Sequence, residues 1–274
     1  MWADLHVHTH WSDGTDTPRE VMARARAAGV TIVAVTDHDT VAGVAESLEA
    51  GQSFGVEVLP ALEITTSYNG DEEIHLLGYF INPEDPILAE RLAAVRDVRR
   101  RRIVAMAERF VRLGMPFAAE EVLAAGRSSV GRPHVADILI RKGYVRSTGE
   151  AFERWLKKDA PGYVPKTNPS WREGIAWIRE AGGIAVMAHP GVTNHDEVIA
   201  AMAAEGLSGL EVWYPRHDTV AENHYLKMAR RYHLVATGGS DCHGRRNGEP
   251  ILGKVKLPVG AVEELKKCRM MNAE

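Results

Sequence analysis

The chain has 274 residues, of which 45% are hydrophobic and 26% charged, and its formal net charge is −4. This length permits one barrel-sized domain with an inserted segment. No apolar run approaches a membrane-spanning length, and the N-terminus lacks the basic and apolar regions of a signal peptide. Two cysteines, Cys242 and Cys268, imply no disulfide framework. We therefore expect a cytoplasmic protein without membrane contact, and the sequence indicates no obligate protein partner.

The first 82 residues alternate short apolar runs with helical patterns. The β-branched run at residues 31–36 is typical of a buried parallel strand. A capping box at Thr17, with Pro18 at the first helical position, predicts a helix start, and Gly29 predicts its end. The predicted strands lie at residues 2–6, 31–36, 56–59 and 74–80, and the predicted helices at about residues 17–29 and 41–53.

Residues 83–168 interrupt this alternation, because they contain helical patterns and no predicted buried strand. The segment holds 17 Lys and Arg against 11 Asp and Glu, a net charge of +6, whereas the rest of the chain carries −10. A basic segment beside an acidic body would attract a polyanionic substrate. Most of the arginines at 96 and 99–102 are nevertheless predicted to form a solvated helix face. We predict that residues 83–168 are a helical insert that acts as a substrate lid.

The strand and helix alternation resumes after residue 168. Strands are predicted at residues 184–188, 209–213 and 234–237, with helices before, between and after them. Seven such units predict an α/β fold with a parallel sheet, which we interpret as a seven-stranded relative of the eight-stranded barrel, formed by residues 1–82 and 169–274. An open doubly wound sheet is the alternative.

Imidazole and carboxylate side chains recur at the ends of five predicted strands. In a parallel barrel these ends meet at one face, so the side chains are expected to converge. The residues are His6, His8, Asp37, His38, Glu63, His189, Asp241 and His243. Asp13, in the loop after the first strand, can reach the same face. His75 lies at the start of its strand, and its position alone leaves its role open.

So many donors exceed what one tetrahedral ion uses, and they favour two or three divalent ions that share a bridging carboxylate. Nitrogen and oxygen ligands without thiolate suit zinc, manganese or iron equally. Clustered divalent ions polarise an ester oxygen and activate water, so phosphate-ester hydrolysis is the favoured chemistry. Arg132 and His134 begin a predicted helix, where backbone amides already attract anions. Tyr163 and Lys166, at the return from the insert, are hypothesised to contact the same substrate.

Together these segments resemble the polymerase-and-histidinol-phosphatase (PHP) superfamily. The resemblance rests on HVHTHWSDG at 6–14, TDHD at 36–39, Glu63, His75, His189-Pro190 and SDCH at 240–243. The insert and RPH at 132–134 are similar to the small stand-alone phosphoesterases of that superfamily. Those include enzymes that act on nucleoside 3′,5′-bisphosphates and relatives that trim short RNA from the 5′ end.

The resemblance implies a distorted seven-stranded barrel and a trinuclear metal site. The implied ligands are His6, His8, Glu63 and Asp241 for one ion, Glu63, His75 and His189 for a second, and Asp13, His38 and His243 for the third. Asp37 is implied to orient a ligand rather than to bind an ion.

We therefore predict a metal-dependent phosphomonoesterase that releases the 3′-phosphate of a nucleoside 3′,5′-bisphosphate, with short oligonucleotides as a further class of substrate. Arg132 and His134 would stabilise the phosphoryl charge, and His189 would assist proton transfer. Three alternatives stay open: a histidinol-phosphate phosphatase, a non-catalytic metal-binding or regulatory module, and an amidohydrolase-type C–N hydrolase.

Overall fold

The computed structural model describes residues 1–70, 72–246 and 248–272. Its strands are β1 (Trp2–Val7), β2 (Val30–Val35), β3 (Glu57–Tyr68), β4 (Glu72–Tyr79), β5 (Ile184–Met187), β6 (Gly209–Trp213), β7 (Val235–Gly238) and β8 (Leu257–Pro258). Its helices are α1 (Pro18–Ala27), α2 (Val44–Phe54), α3 (Pro86–Arg112), α4 (Ala119–Ala125), α5 (Arg132–Arg141), α6 (Thr148–Ala151), α7 (Trp171–Glu180), α8 (Pro190–Thr193), α9 (Asp196–Ala204), α10 (Thr219–Arg231) and α11 (Val259–Asn272). Helix α6 continues directly into a π-helical turn (Phe152–Leu156).

The strands form one sheet in the order β7-β6-β5-β4-β3-β2-β1-β8. The sheet curves until its ends nearly meet, because Val7 at the end of β1 forms a parallel bridge with Cys242, just beyond β7. The His8 amide donates to the Cys242 carbonyl at 3.0 Å in the same place. The predicted barrel class is confirmed. The strand count is eight rather than seven because the two-residue β8 adds to β1 in an antiparallel pairing.

Strand β4 differs from the expected parallel arrangement, since it runs antiparallel to both of its neighbours, β3 and β5. The prediction also ended the third strand too early, at residue 59. Pro60 removes one backbone donor but does not end the strand, because eight residue pairs with β4 hold residues 61–68 extended. A glutamate expected just after the strand, Glu63, therefore lies inside β3.

The insert has a hydrophobic core of its own from Ile103 onward, whereas Leu88 and Leu92 at the start of α3 pack into a core cluster of the barrel. Three clusters of buried side chains lie around the sheet and the helices that cover it. A fourth cluster lies within helices α3–α6, where Phe110, Val135, Leu139 and Leu156 are almost completely buried. This separation agrees with a helical insert between β4 and α7, whereas its role as a lid stays a prediction.

Capping residues begin the helices as the sequence predicts. Thr17 and Ser170 each accept a hydrogen bond from the third residue of their helix and complete a capping box with Glu20 and Glu173. Within the described parts of the chain, no helix is both long and apolar enough to cross a lipid bilayer.

Candidate metal centre and anion cavity

Nine ligand-type side chains converge at one mouth of the barrel, although they come from segments far apart in the chain. Loops that follow β1, β2, β5 and β7 carry most of them, and β1, β3 and β4 carry the rest. They are His6, His8, Asp13, His38, Glu63, His75, His189, Asp241 and His243, all of which occur in compact groups whose donor atoms lie within 4.8 Å of one another.

The first group surrounds the ε2 nitrogens of His6 and His8, which are 3.2 Å apart. Asp241 Oδ1 lies 3.4 Å from His6 Nε2 and 3.1 Å from His8 Nε2. Glu63 Oε2 lies 3.4 and 3.2 Å from the same two nitrogens. Gly239 lets the segment after β7 pack closely against His6 in β1, because a Cβ atom at residue 239 would stand 2.4 Å from the His6 backbone nitrogen. Each of these two nitrogens thus lies beside both carboxylates.

The second group uses the other oxygen of Glu63. His75 Nδ1 lies 2.8 Å and His189 Nε2 lies 3.2 Å from Glu63 Oε1. His75 reaches this place because β4 is antiparallel: the beginning of β4 lies at the mouth where the parallel strands end. The strand direction therefore explains a residue whose position alone was ambiguous.

The third group joins Asp13 to two histidines. Asp13 Oδ1 lies 3.3 Å from His243 Nε2, and Asp13 Oδ2 lies 3.9 Å from His38 Nε2. The rings of His8 and His243 stack with their centres 4.1 Å apart, so this group adjoins the first.

The carboxylates of these groups remain ionised. Burial alone would raise the pKa of Glu63, but His38, His75 and His6 hold it well below its usual range. The pKa of Asp13 is lowered in the same way by His243 and His38, against the opposing effect of burial. Ionised oxygens beside imidazole nitrogens are the ligands that borderline divalent cations use.

The donor set fits bound cations rather than an ordinary hydrogen-bond network. His8 Nδ1 and His189 Nδ1 are buried, and neither has a hydrogen-bond partner among the described residues. Six imidazoles and three carboxylates packed this closely leave few donor hydrogens for so many acceptors. The residues present could therefore hold divalent metal ions at this mouth.

Glu211, on β6, supports two of the groups at once and was not identified from the sequence. Its Oε1 pairs with His6 Nδ1 at 3.0 Å, which leaves His6 Nε2 directed at the first group. Its Oε2 accepts the backbone N–H of His189 at 2.7 Å, where the backbone is left-handed (φ 30°). The available signal was a single carboxylate within the apolar run GLEVW.

Asp37 orients the loop that carries Asp13, in agreement with its implied role. Its carboxylate accepts the Thr9 amide at 2.8 Å and the Ser12 hydroxyl at 2.6 Å. Tyr214 similarly donates its hydroxyl to Asp241 Oδ2 at 2.9 Å.

A cavity of about 170 Å³, here called the anion cavity, adjoins the second and third groups. His38, His75 and Asp13 form the wall that it shares with these groups. Four cations line the rest of it: Arg99, Arg102, Arg132 and Lys166. Glu73 is the acidic residue among them; Lys166 and Arg132 lower its pKa against the effect of burial.

Arg99 and Arg102 are buried, so the prediction of a solvated helix face is wrong for these two arginines. They are only 9% and 7% exposed, whereas Arg100 and Arg101 are exposed as expected. Helix α3 is 27 residues long, and two residues three apart on one face of it project into the anion cavity. Arg102 Nη2 is buried there without a hydrogen-bond partner in the part of the chain that the structure describes. These two arginines were missed as candidate substrate contacts.

The other predicted substrate contacts divide into two kinds. Arg132 and Lys166 line the anion cavity, with Arg132 Nη2 at 2.9 Å and Lys166 Nζ at 3.7 Å from Glu73. Tyr163 does not line it; its ring packs against the guanidinium groups of Arg102 (5.2 Å) and Arg132 (5.9 Å).

His134 also lies outside the cavity lining, contrary to the prediction that it contacts substrate. Its side chain is 2% exposed, and Nδ1 accepts the backbone N–H of Gly131 at 3.1 Å. Burial lowers its pKa, while Asp13 and a hydrogen bond with the Ser12 backbone oppose that shift. His134 thus packs against the loop of Asp13 and caps α5.

Comparison with known proteins places this geometry in a family. The model of the PHP domain matches residues 4–119. A 3′,5′-nucleoside bisphosphate phosphatase of Chromobacterium violaceum is 32% identical over 91% of this chain and 90% of its own length. A phosphoribosyl 1,2-cyclic phosphate 1,2-diphosphodiesterase of Eggerthella lenta is 31% identical over 92% and 98%. The 5′-3′ exoribonuclease Rnm of Escherichia coli is 33% identical over 94% and 90%.

A solved structure from Bifidobacterium adolescentis, classed by inference as a metal-dependent phosphoesterase, superposes with a TM-score of 0.89 at 36% identity. The match covers 97% of this chain and 96% of that one. The alternative of a non-catalytic metal-binding module is therefore wrong. With relatives of this similarity along nine-tenths of its length, the protein belongs to the PHP family and is a metal-dependent phosphoesterase.

Proposed function

We propose that this enzyme releases the 3′-phosphate of nucleoside 3′,5′-bisphosphates. The observation that carries the proposal is a cavity with four cations that shares a wall with the nine-residue donor cluster. A substrate with two phosphates could place one at the donor cluster and the other in the anion cavity. The relative from Chromobacterium violaceum is named a 3′,5′-nucleoside bisphosphate phosphatase, which is the same substrate class.

The three donor groups would hold two to three divalent ions, with Glu63 shared between the first and second. When bound, such ions supply Lewis acidity at a phosphoryl oxygen and an activated water. In the overall hydrolysis, water adds to phosphorus, the P–O3′ bond breaks, and the 3′ oxygen leaves with a proton. Manganese, zinc and iron all suit the donor set.

The anion cavity would bind the phosphate that is not hydrolysed. Its volume of about 170 Å³ is below the range of roughly 300–1,000 Å³ that is usual for sites of whole small molecules. It therefore suits one phosphate rather than a nucleotide. Arg102 and Arg132 present donors to it, and helices α3 and α5 of the insert hold these arginines in place. The insert would thus act as a lid that supplies the cations.

His189 would serve as an ion ligand rather than as a proton donor to the leaving group. Its Nε2 is directed at Glu63 and its Nδ1 is buried, and it does not line the anion cavity. Lys166 lines the cavity, lies outside the three donor groups and could hold a proton.

The test is a phosphate-release assay of metal-loaded protein on a panel of substrates. The panel contains adenosine 3′,5′-bisphosphate, adenosine 3′-monophosphate, histidinol phosphate, a 5′-phosphorylated trinucleotide and an amide series. We expect the highest kcat/KM with the bisphosphate. Faster turnover of histidinol phosphate, of the trinucleotide or of an amide would reject the proposed substrate.

Arg102 offers a prediction with a matched control on the same helix. Arg102→Met removes a buried cation from the anion cavity, so KM for the bisphosphate is expected to rise by about 10- to 100-fold, as for the loss of a charged hydrogen bond. Arg101→Met changes an exposed arginine beside it, and KM should not change. Steady-state kinetics measure both. Equal KM values in the two variants would exclude Arg102 from phosphate binding.

Lys166 predicts a pH dependence of substrate capture. Burial, followed by Arg99, lowers the pKa of Lys166 to about 7, against the opposing effects of Glu73 and Asp39. A lysine is charged below its pKa, so the cation is present in acid and lost as the pH rises through about 7. We expect kcat/KM for the bisphosphate to fall over that interval relative to the 3′-monophosphate. In Lys166→Arg, the ratio of kcat/KM for the bisphosphate to kcat/KM for the 3′-monophosphate should become independent of pH. A ratio that still falls with rising pH would assign the titration to another group.

A further inference from the structure

A second cavity, of about 310 Å³, also borders the third donor group and is here called the side cavity. Asp13 and His243 of the third donor group form part of its wall. Thr148 and Gly149 of α6 form another part of the wall. The anion cavity and the side cavity share three lining residues, Asp13, Pro133 and Phe152. The two cavities are therefore neighbours that meet at the donor cluster.

The side cavity differs from the anion cavity in charge. Arg246 is the cation in its described lining, and that guanidinium already has partners. It pairs with the carboxylate of Asp137, donates to the Pro133 carbonyl at 3.2 Å, and donates through Nε to the Asp13 carbonyl at 2.5 Å. A second phosphate would find one cation here, already held by three partners, against the four that line the anion cavity.

Phe152 stands between the two cavities. It is half-buried and is the first residue of the π-helical turn that follows α6. The guanidinium carbon of Arg132 lies 5.9 Å from the centre of its ring. π-Helical turns within helices occur often at functional sites, and an aromatic ring beside a cationic groove is a platform on which bases stack.

We propose that the side cavity binds the nucleobase of the substrate and that the ring of Phe152 stacks against it. This inference rests on the proposed function, because it assumes a nucleotide whose phosphates occupy the donor cluster and the anion cavity. The charged and uncharged parts of one molecule would then separate across Phe152. Because stacking requires a planar face rather than a hydrogen-bond pattern, Phe152 selects for a base without selecting which base.

Two variants change the side cavity in opposite ways. Phe152→Ala removes the stacking ring. Gly149→Leu fills space: a Cβ atom at Gly149 would meet only Ser147 Oγ, at 3.9 Å. Replacing a glycine within a helix also removes a local conformational cost, so this variant should fold. Adenosine 3′,5′-bisphosphate and the base-free 1,4-anhydroribitol 3,5-bisphosphate are compared on each variant, and the base-free compound controls for folding.

For adenosine 3′,5′-bisphosphate, kcat/KM is expected to fall by roughly 10- to 100-fold in Phe152→Ala. We expect a fall in Gly149→Leu as well. The base-free compound should be hydrolysed by Gly149→Leu at the parent rate, and by Phe152→Ala with a smaller loss than adenosine 3′,5′-bisphosphate shows, because Phe152 also lines the anion cavity. An equal fall for both compounds in the two variants, or no fall for adenosine 3′,5′-bisphosphate, would overturn the assignment of the base to the side cavity.

The failure of the proposed function has a different signature: the metal-loaded parent enzyme would release phosphate from neither compound. Calorimetric titration of the same two compounds then tests the side cavity by itself. Binding of adenosine 3′,5′-bisphosphate that weakens in both variants, by more than binding of the base-free compound does, supports the base site. Equal affinities for the parent and both variants reject it.

Discussion

Replacing Glu63 with glutamine is expected to lower kcat by about 10³-fold or more, since clustered ions supply several kcal/mol of transition-state stabilisation. Glu63 is the residue whose two oxygens face different donor groups, Oε2 toward His6 and His8 and Oε1 toward His75 and His189. Glutamine keeps the volume but loses the charge and one of the two acceptor oxygens. We also expect the metal content per chain, measured by elemental analysis, to fall by at least one ion.

Glu57→Gln is the matched control for this experiment. It makes the same change on the same strand, β3, but at an exposed residue that pairs with Lys266 on the surface. Its metal content and kcat should equal those of the parent. Full metal content in Glu63→Gln, with kcat close to that of the parent, would show that the two donor groups do not share this carboxylate.

Replacing Arg99 with methionine is expected to lower the free energy of unfolding by about 3–5 kcal/mol, as for other buried ion pairs that lose one partner. Arg99 Nε donates to Asp39 Oδ2 at 2.6 Å, and its Nη2 donates to Thr65 Oγ1 at 2.8 Å. Burial acts to raise the pKa of Asp39, but Arg99 and Lys166 hold it below its usual range. Without Arg99, the insert would lose a buried link to the barrel. The Asp39 carboxylate would then stay buried without its ion-pair partner.

Urea unfolding of the metal-free protein measures this loss. Arg100→Met, an exposed change one residue along α3, should stay within about 0.5 kcal/mol of the parent. Adding Asp39→Asn to Arg99→Met should recover part of the loss, because asparagine removes the buried charge and tolerates the left-handed backbone at this position (φ 52°). A loss below about 1 kcal/mol in Arg99→Met would mean that water already reaches Asp39.

Local rules were sufficient to predict the barrel and the convergence of most candidate ligands. Buried β-branched runs separated by capped helices specify parallel strands, and parallel strands in a barrel end at one mouth. That single geometric rule brought His6 together with His189 and Asp241, which lie more than 180 residues further along the chain. It required no knowledge of side-chain contacts.

The direction of β4 was the main error in the fold. Because the third strand was ended at residue 59, the gap before residue 74 was long enough for a parallel crossover. In the structure β3 continues to Tyr68, and Asn69 and Gly70, both with positive φ, turn the chain directly into β4. The Asn-Gly pair is a hairpin signal, and it would have corrected both the strand direction and the position of His75.

The supporting residues of the site could not be found by local rules, because their roles depend on tertiary contacts. Glu211 looks like an isolated charge until the barrel closes and brings it against His6. Arg99 and Arg102 belong to a run of arginines that also contains exposed members, so composition does not separate them. Only the docking of α3 onto the barrel mouth decides which arginines are buried.

The proposed activity depends on a polynuclear metal centre built from all nine convergent side chains. Anomalous diffraction from crystals grown with Mn²⁺ tests this centre most directly, since it gives both the number and the position of bound ions. We expect two or three anomalous peaks at the barrel mouth, with Glu63 in contact with two of them. A single peak, or peaks away from Glu63, would contradict it.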